Sequence, residues 1–312
     1  MNWLTDTPHD AQPFLPPGAQ WGGAAAPPES TGDAWLSLGH RGPAWQFASA
    51  PASEAYPHRT HIIIKDAETS QFSALNEALK QGLSLPDGLV AIALAGQGFR
   101  GQRSRRWQAL RGNLHLTAYY RIDRPVAELQ AGLTMAPAVA TVQAIQTLAP
   151  SLRPAIKWVN DVLLQGQKVS GVLTATQIHE RTVRHAVFGI GLNVDAVPDL
   201  PATAFVPAAT CLAAHEPALN GKLPQVLQTL IDKLDATVSL LKQGSIGPLF
   251  EAYRKGADFL GREVVLWPED TDTCQEGVVP LAQGRVQALN PDLSLTLEGH
   301  DRPLTSGRMA YR

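Results

Sequence analysis

Residues 95–117 read AGQGFRGQRSRRWQALRGNLHLT, and the rest of the chain is organised around them. Upstream, LVAIALA (Leu89 to Ala95) is an apolar run of strand length. Downstream, Asn113 to Ile122 (NLHLTAYYRI) is rich in β-branched and aromatic residues and reads as a second strand. Between them stand Gly96, Gly98 and Gly101, then Arg100, Arg103, Arg105, Arg106 and Arg111. Glycine lets backbone approach a ligand and adopt positive φ. Arginine offers a rigid fork of donors suited to phosphate or carboxylate. The pattern describes a mobile loop closing over an anion; a solvated hairpin loop has the same composition.

The whole chain does not share this local charge. Its 312 residues leave room for two domains, and its net charge of −2 argues against a general nucleic-acid binder. The loop's cations therefore point to a small anionic ligand. Cys211 and Cys274 form neither a disulfide framework nor a zinc motif, and the histidines show no metal-ligand spacing. His179 and His185, beside a polar turn, are expected to be exposed. No apolar run reaches membrane-span length, and MNWLTDTPHD lacks the basic and apolar regions of a secretory signal. A cytoplasmic protein is the expectation.

Residues 1–57 are rich in Pro, Gly and Ala and read as a partly ordered arm, with WLSL and WQFA as candidate short strands. A globular pattern begins at His61. HIIIK reads as a buried strand, followed by a helix capped by Thr69 or Ser70 and ended by Gly82. Pro125 opens a long helix to Leu148, in which Pro137 predicts a kink or break. The segment AIKWVNDVLLQGQKVSGVLTA (155–175) reads as two strands around a turn at Gly166-Gln167. Lys157 and Lys168 then lie on neighbouring strands beside Asn160 and Asp161, a set suited to a nucleotide and its magnesium. AVFGIGLNV (186–194) is a strand whose glycines mark tight packing or close backbone approach. A helix follows from Pro224 to about Lys242, and a shorter one ends at Gly256. From residue 257 the pattern is short strands and turns: EVVLW, GVVPLA, GRVQALN, SLTLEG and RMAYR, a small β module of about five strands.

In order and spacing, FRGQRSRRW, GNLHL, KWVND, QKVSG and GIGLN resemble the motifs of the biotin–protein ligase family. That family carries G-R-G-R-x-G-R-x-W, G-N-L, K-W-P-N-D, R-K-L-x-G and G-I-G-x-N. LTSGRMAYR at the end resembles the family's closing s-G-e-v-s strand. The resemblance runs from about His61 to Arg312, with no helix-turn-helix domain. It implies an α+β fold: a mixed sheet with helices, of the class II synthetase-like biotin/lipoate ligase type, over residues 58–256. A small C-terminal β-barrel over 257–312 would follow.

The resemblance further implies a two-step reaction. Biotin and ATP form biotinyl-5′-AMP, which then acylates a lysine of a biotin carboxyl carrier domain. By position, Arg100, Gly101, Arg103 and Arg105 would close over the adenylate, with Trp107 beside the adenine and Gly112, Asn113 and Gly171 around it. Thr69 and Ser70 would meet the biotin ring. Lys168 would bind the carboxylate, and Lys157 the phosphates. Asn160, Asp161 and Asn193 would position ATP, with Asp161 toward Mg2+. Phe99, Gln102, Ser104 and Val159 depart from the family pattern, and Glu68-Thr69-Ser70 stands for its S-T-N. Slower ligation, a leakier adenylate or another acid would follow. Lipoate as the acid, a non-catalytic vitamin-binding regulator, and a homodimer through a sheet edge all stay open.

Overall fold

The computed structural model describes residues 1–22, 45–49, 59–129, 131–206, 208–271 and 278–312. Its centre is a nine-stranded mixed sheet. In chain order its strands are β1 (Asn2–Thr5), β2 (Gln46–Ser49), β3 (Thr60–Ala67), β4 (Leu89–Gly96), β5 (Leu114–Pro125), β6 (Ala155–Lys157), β7 (Asp161–Leu164), β8 (Gln167–His179) and β9 (Thr182–Leu192). Their spatial order is β2-β1-β3-β4-β5-β9-β8-β7-β6, with β1, β3 and β4 parallel and the other pairings antiparallel.

The four main helices are α1 (Gln71–Lys80), α2 (Gly132–Leu148), α3 (Leu223–Lys242) and α4 (Ile246–Gly256). Alternation along the strands divides the core in two. Ile63, Ile92, Leu116, Tyr120 and Phe188 face one way, in a cluster with residues of α2, α3 and α4. Ile62, Ile64, Ala93, Tyr119 and Val187 face the other way, with Leu75 and Leu79 of α1. Helices therefore pack mainly on one face, as expected, and the other face has room for a site beside α1.

The Pro/Gly/Ala-rich start of the chain supplies two strands. WQFA falls in β2, while WLSL and Cys274 lie outside the described residues. In β1, Leu4 is 1% exposed, Trp3 stacks on His61 at 3.8 Å, and the Thr5 hydroxyl donates to the Ile63 carbonyl. β1 thus fills the edge beside β3, and among the described residues the sheet ends at β2 on one side and at β6 on the other, where Ile156 of β6 bridges Ala257.

Several local expectations are corrected. The tight turn is Gln165-Gly166, both at positive φ (50° and 79°), one residue earlier than read. Left-handed geometry at both central positions is what a two-residue hairpin demands. The long helix after Pro125 is broken, with a separate turn at Val126–Leu129 before α2. Gly132 opens α2 where a Cβ would sit 2.7 Å from Leu241 of α3. Pro137 lies within continuous α2. The carbonyl its missing N–H would have served, that of Leu133, accepts from the Thr174 hydroxyl at 3.0 Å. His185 is buried against Tyr119, and burial lowers its pKa; His179 is exposed as expected.

The C-terminal module has four antiparallel strands among the described residues: β10 (Glu263–Trp267), β11 (Ala282–Leu289), β12 (Leu295–Leu297) and β13 (Arg308–Tyr311). The described part of GVVPLA before β11 is not a strand, and its Val279 is 75% exposed. The module is fastened to β6: the Trp158 indole donates to the Leu293 carbonyl at 2.7 Å, and Ile156 bridges Ala257.

Burial of Leu4 makes a prediction for a segment whose composition suggests none. Leu4→Ala is expected to destabilise the protein by about 2–4 kcal/mol, read by urea unfolding. A loss under about 0.5 kcal/mol, the level of an ordinary surface substitution, would show that β1 adds nothing to the sheet.

Candidate active site

One row of register partners crosses five strands. Lys157 of β6 pairs with Asp161 of β7, Asp161 with Gly171 of β8, Gly171 with Gly191 of β9, and Gly191 with His115 of β5. Side chains of register partners point to the same face, so four separate stretches of sequence deliver their residues to one line. Gly189, Leu173 and Thr117 form the next row on that face. The glycines create the space. A Cβ on Gly191 would lie 2.4 Å from the Trp107 indole, and one on Gly189 would lie 2.9 Å from Phe72 of α1.

Above these rows is a cavity of about 540 Å³, within the range of small-ligand sites. Ser70, Arg100, Gly101, Arg103, Arg105 and Trp107 line it from the helix start and the loop; Lys157, Asn160, Asp161, Lys168, Gly171 and Asn193 line it from the sheet. Thr69, Gly112 and Asn113 stand outside its lining. Asn113 is fully buried, and its Oδ1 accepts from the N–H groups of Val194, Asp195 and Ala196, so it braces the turn after β9. Gly112, at φ 88°, abuts Asp195 of the same turn. Asn193 donates to the Thr210 carbonyl at 2.9 Å and accepts from Asn113. Asn160 donates to the Val172 carbonyl at 2.8 Å. Ser70, rather than Thr69, caps α1 through the Ser73 N–H.

The arginine loop folds back on itself. Gly101 N–H donates to the Arg105 carbonyl, Trp107 N–H to the Phe99 carbonyl, and Gly96 N–H to the Ala109 carbonyl. Arg103 and Ser104 both take left-handed backbone, at φ 57° and 60°. Ser104 stands where the resemblance leads one to expect glycine, the residue that adopts this conformation without cost. Glu269, two residues after β10 of the C-terminal sheet, clamps the loop: its carboxylate pairs with Arg103 and its carbonyl accepts from Arg105 at 2.7 Å.

Two lysines set the electrostatics. Lys168 Nζ is 2.7 Å from Asp161 and 5.9 Å from the centre of the Trp107 ring. Lys157 is 5% exposed, donates to the Phe205 carbonyl and lies 5.4 Å from the Tyr311 ring. Burial pulls its ammonium down to about 8, against the opposing attraction of Asp161, with Lys168 and Arg308 adding to the fall. His115 positions the indole. Trp107 Nε1–H donates to its Nδ1 at 3.3 Å, and its Nε2 lies 3.1 Å from the Leu110 carbonyl. A neutral ring protonated at Nε2 satisfies both contacts, and burial pulls His115 down to about 4.

Residues 66–193 match the Biotin/lipoate A/B protein ligase family model. The matched stretch is about two fifths of the chain. The match holds the whole Lys157-to-His115 row. Over 140 residues the chain is 34% identical to a bifunctional ligase/repressor of Bacillus spizizenii, covering 45% of this chain and 42% of that protein. Over 135 residues it is 36% identical to a biotin–[acetyl-CoA-carboxylase] ligase of Paracoccus denitrificans, covering 43% and 55%. The chain thus spans about half the length of these curated relatives. A biotin protein ligase from Aquifex aeolicus, solved with biotin and ATP, shares the fold with a TM-score of 0.58 over 81% of this chain and 98% of that one, at 22% identity.

Relative to the ligase-family motifs, sequence reasoning missed His115, Phe205, Glu269, Arg308 and Tyr311. His115 stands inside GNLHL, where its neighbours read as strand and nothing local marks it as a site residue. Arg308 stood where the closing-strand pattern has an acid, which was a usable signal. Phe205 and Glu269 lie in loops without a motif and become visible only through folding.

Seating of the indole on Gly191 is testable. Gly191→Ala is expected to cost about 1–3 kcal/mol by overpacking and to raise acrylamide quenching of tryptophan fluorescence, an increase absent in a Trp107→Phe background. Unchanged stability and quenching would mean that the indole rests elsewhere.

Proposed function

We propose that this chain is an ATP-dependent ligase. It activates biotin as biotinyl-5′-AMP and transfers the biotinyl group to a lysine of a biotin carboxyl carrier domain in a carboxylase. One observation carries the reading. In a chain of net charge −2, seven lysine and arginine side chains line a single cavity against the carboxylates of Asp161, Glu269 and Asp292. Such an excess suits a ligand, or a pair of ligands, of high negative charge. A carboxylate approaching a polyphosphate is that case, because the two repel and neither reacts until cations offset both.

The chemistry needs no covalent link to the protein. A biotin carboxylate oxygen bonds to the α-phosphorus, the Pα–O bond to the β-phosphate breaks, and pyrophosphate leaves with the electron pair. The carrier amine then attacks the acyl carbon, AMP departs, and the amine's proton goes to solvent. Lys168 exchanges its Asp161 partner for the acyl phosphate oxygens. Lys157 faces the phosphates from below, and the loop arginines close from above. Trp107, seated on Gly191 and held by His115, gives the adenine or acyl chain a flat wall. These are positioning and charge effects.

Magnesium would enter with the nucleotide and neutralise part of the phosphate charge. No group of three or more His, Cys, Asp and Glu side chains converges among the described residues. Asp161, the one acid in the row, fits an ion that keeps its waters and phosphate oxygens and takes one or two carboxylates.

Exchange of labelled pyrophosphate into ATP should depend on biotin. Dependence on lipoate instead would reassign the acid, and exchange with neither would leave a binding protein. Lys168→Ala should lower exchange by about 10²–10³-fold, the cost of deleting one charge-stabilising donor; near-normal exchange would remove Lys168 from the chemistry.

The pH profile tests Lys157 separately. Its cation is present below about pH 8 and lost above it, so kcat/KM for ATP should fall as pH rises through that value. Lys157→Arg, charged throughout, should abolish the fall even if its rate is lower. An alkaline limb identical in both proteins would assign it to another group.

A further inference from the structure

We propose that Arg308 of β13 is a polyphosphate-binding residue, supplying from the C-terminal module the positive charge that the loop lacks at Gln102. The inference rests on the ligase reading above and names a residue for that site.

Arg308 lines the same cavity as Lys157 and Gln102. Its guanidinium lies 3.8 Å from the centre of the Phe205 ring, and Nη1 donates to the Thr271 carbonyl. The carbonyl of that same Phe205 accepts from Lys157 Nζ. One residue therefore fixes two cations, the ring setting Arg308 and the backbone setting Lys157. A guanidinium carries its donors in one planar fork, the geometry suited to phosphate. The two are close enough for Arg308 to depress the Lys157 pKa. Two like charges brought together at a cavity wall cost energy until an anion lies between them.

The sequence gives an independent reason. The closing strand of the resembling family reads s-G-e-v-s, and here Ser306-Gly307 is followed by Arg308. The loop position usually held by arginine is Gln102. Relative to the family pattern, one cavity has thus lost a cation on its loop and gained one, at an acidic position, on the C-terminal module. Two unrelated surface changes would not be expected to line one cavity. Relocated charge accounts for both.

The test uses the full chain and ATP itself. Arg308→Gln should raise KM for ATP about tenfold or more, the scale of a lost charge-assisted contact, while KM for biotin changes less than about twofold. Adding Gln102→Arg to that variant should recover at least half of the loss on a logarithmic scale. Arg308→Lys keeps the charge but loses the planar fork; it should raise KM for ATP by less than Arg308→Gln does and leave KM for biotin within about twofold, and that split is the readout should the Gln variant fail to fold. Three results would overturn the proposal: an unchanged KM for ATP in Arg308→Gln, an equal rise in both KM values, or no recovery with Gln102→Arg. If the unaltered protein shows no exchange with biotin or lipoate, the ligase reading itself falls, a result distinct from these three.

Discussion

Backbone register across β6, β7, β8, β9 and β5 is the constraint on which this molecule depends. A strand shifted by one residue turns every side chain to the other face. Lys157, Asp161 and His115 would then point into the helical layer, where an unpaired charge is costly. Register is held in two ways: by the apolar side chains packed against α2, α3 and α4, and by the left-handed pair Gln165-Gly166 that sets the β7–β8 pairing. Glycine at 171 and 191 then keeps the line low enough for Trp107 to lie across it.

Polar groups around the cavity divide by role. Asn113 and Asn193 spend their side chains on backbone amides and carbonyls that no strand satisfies. Left unpaired, such buried groups cost about 1–3 kcal/mol each, so these asparagines hold the wall in shape. Lys157, Lys168 and the loop arginines are different. Their partners are few acids and several carbonyls, and they suit exchange with an incoming anion. The pKa of Lys157 is depressed there first by burial, with Lys168 and Arg308 adding to the fall.

The C-terminal module is part of the same site. Glu269 holds Arg103 and Arg105, Tyr311 packs over Lys157, and Thr305 to Met309 line the cavity. Tyr311 is itself anchored by its hydroxyl on Asp258 and by the Arg262 guanidinium at 3.7 Å from its ring. The arginine loop is thus tied to the C-terminal module through Glu269.

Sequence alone determined much of this protein. Period-two and period-3.6 patterns placed the strands and main helices, because burial of one face is written residue by residue. The glycine–arginine loop and the ordered motifs carried the family resemblance and brought out the lysines, Asp161 and Trp107. What sequence could not show is adjacency. Nothing local tells that Lys157, Gly171, Gly191 and His115 share one line, that Leu4 in a proline-rich arm completes a sheet edge, or that Thr174 relieves Pro137. Those facts depend on which strand lies beside which and in what register. That is decided by the packing of residues far apart in the chain, and only the tertiary structure contains it.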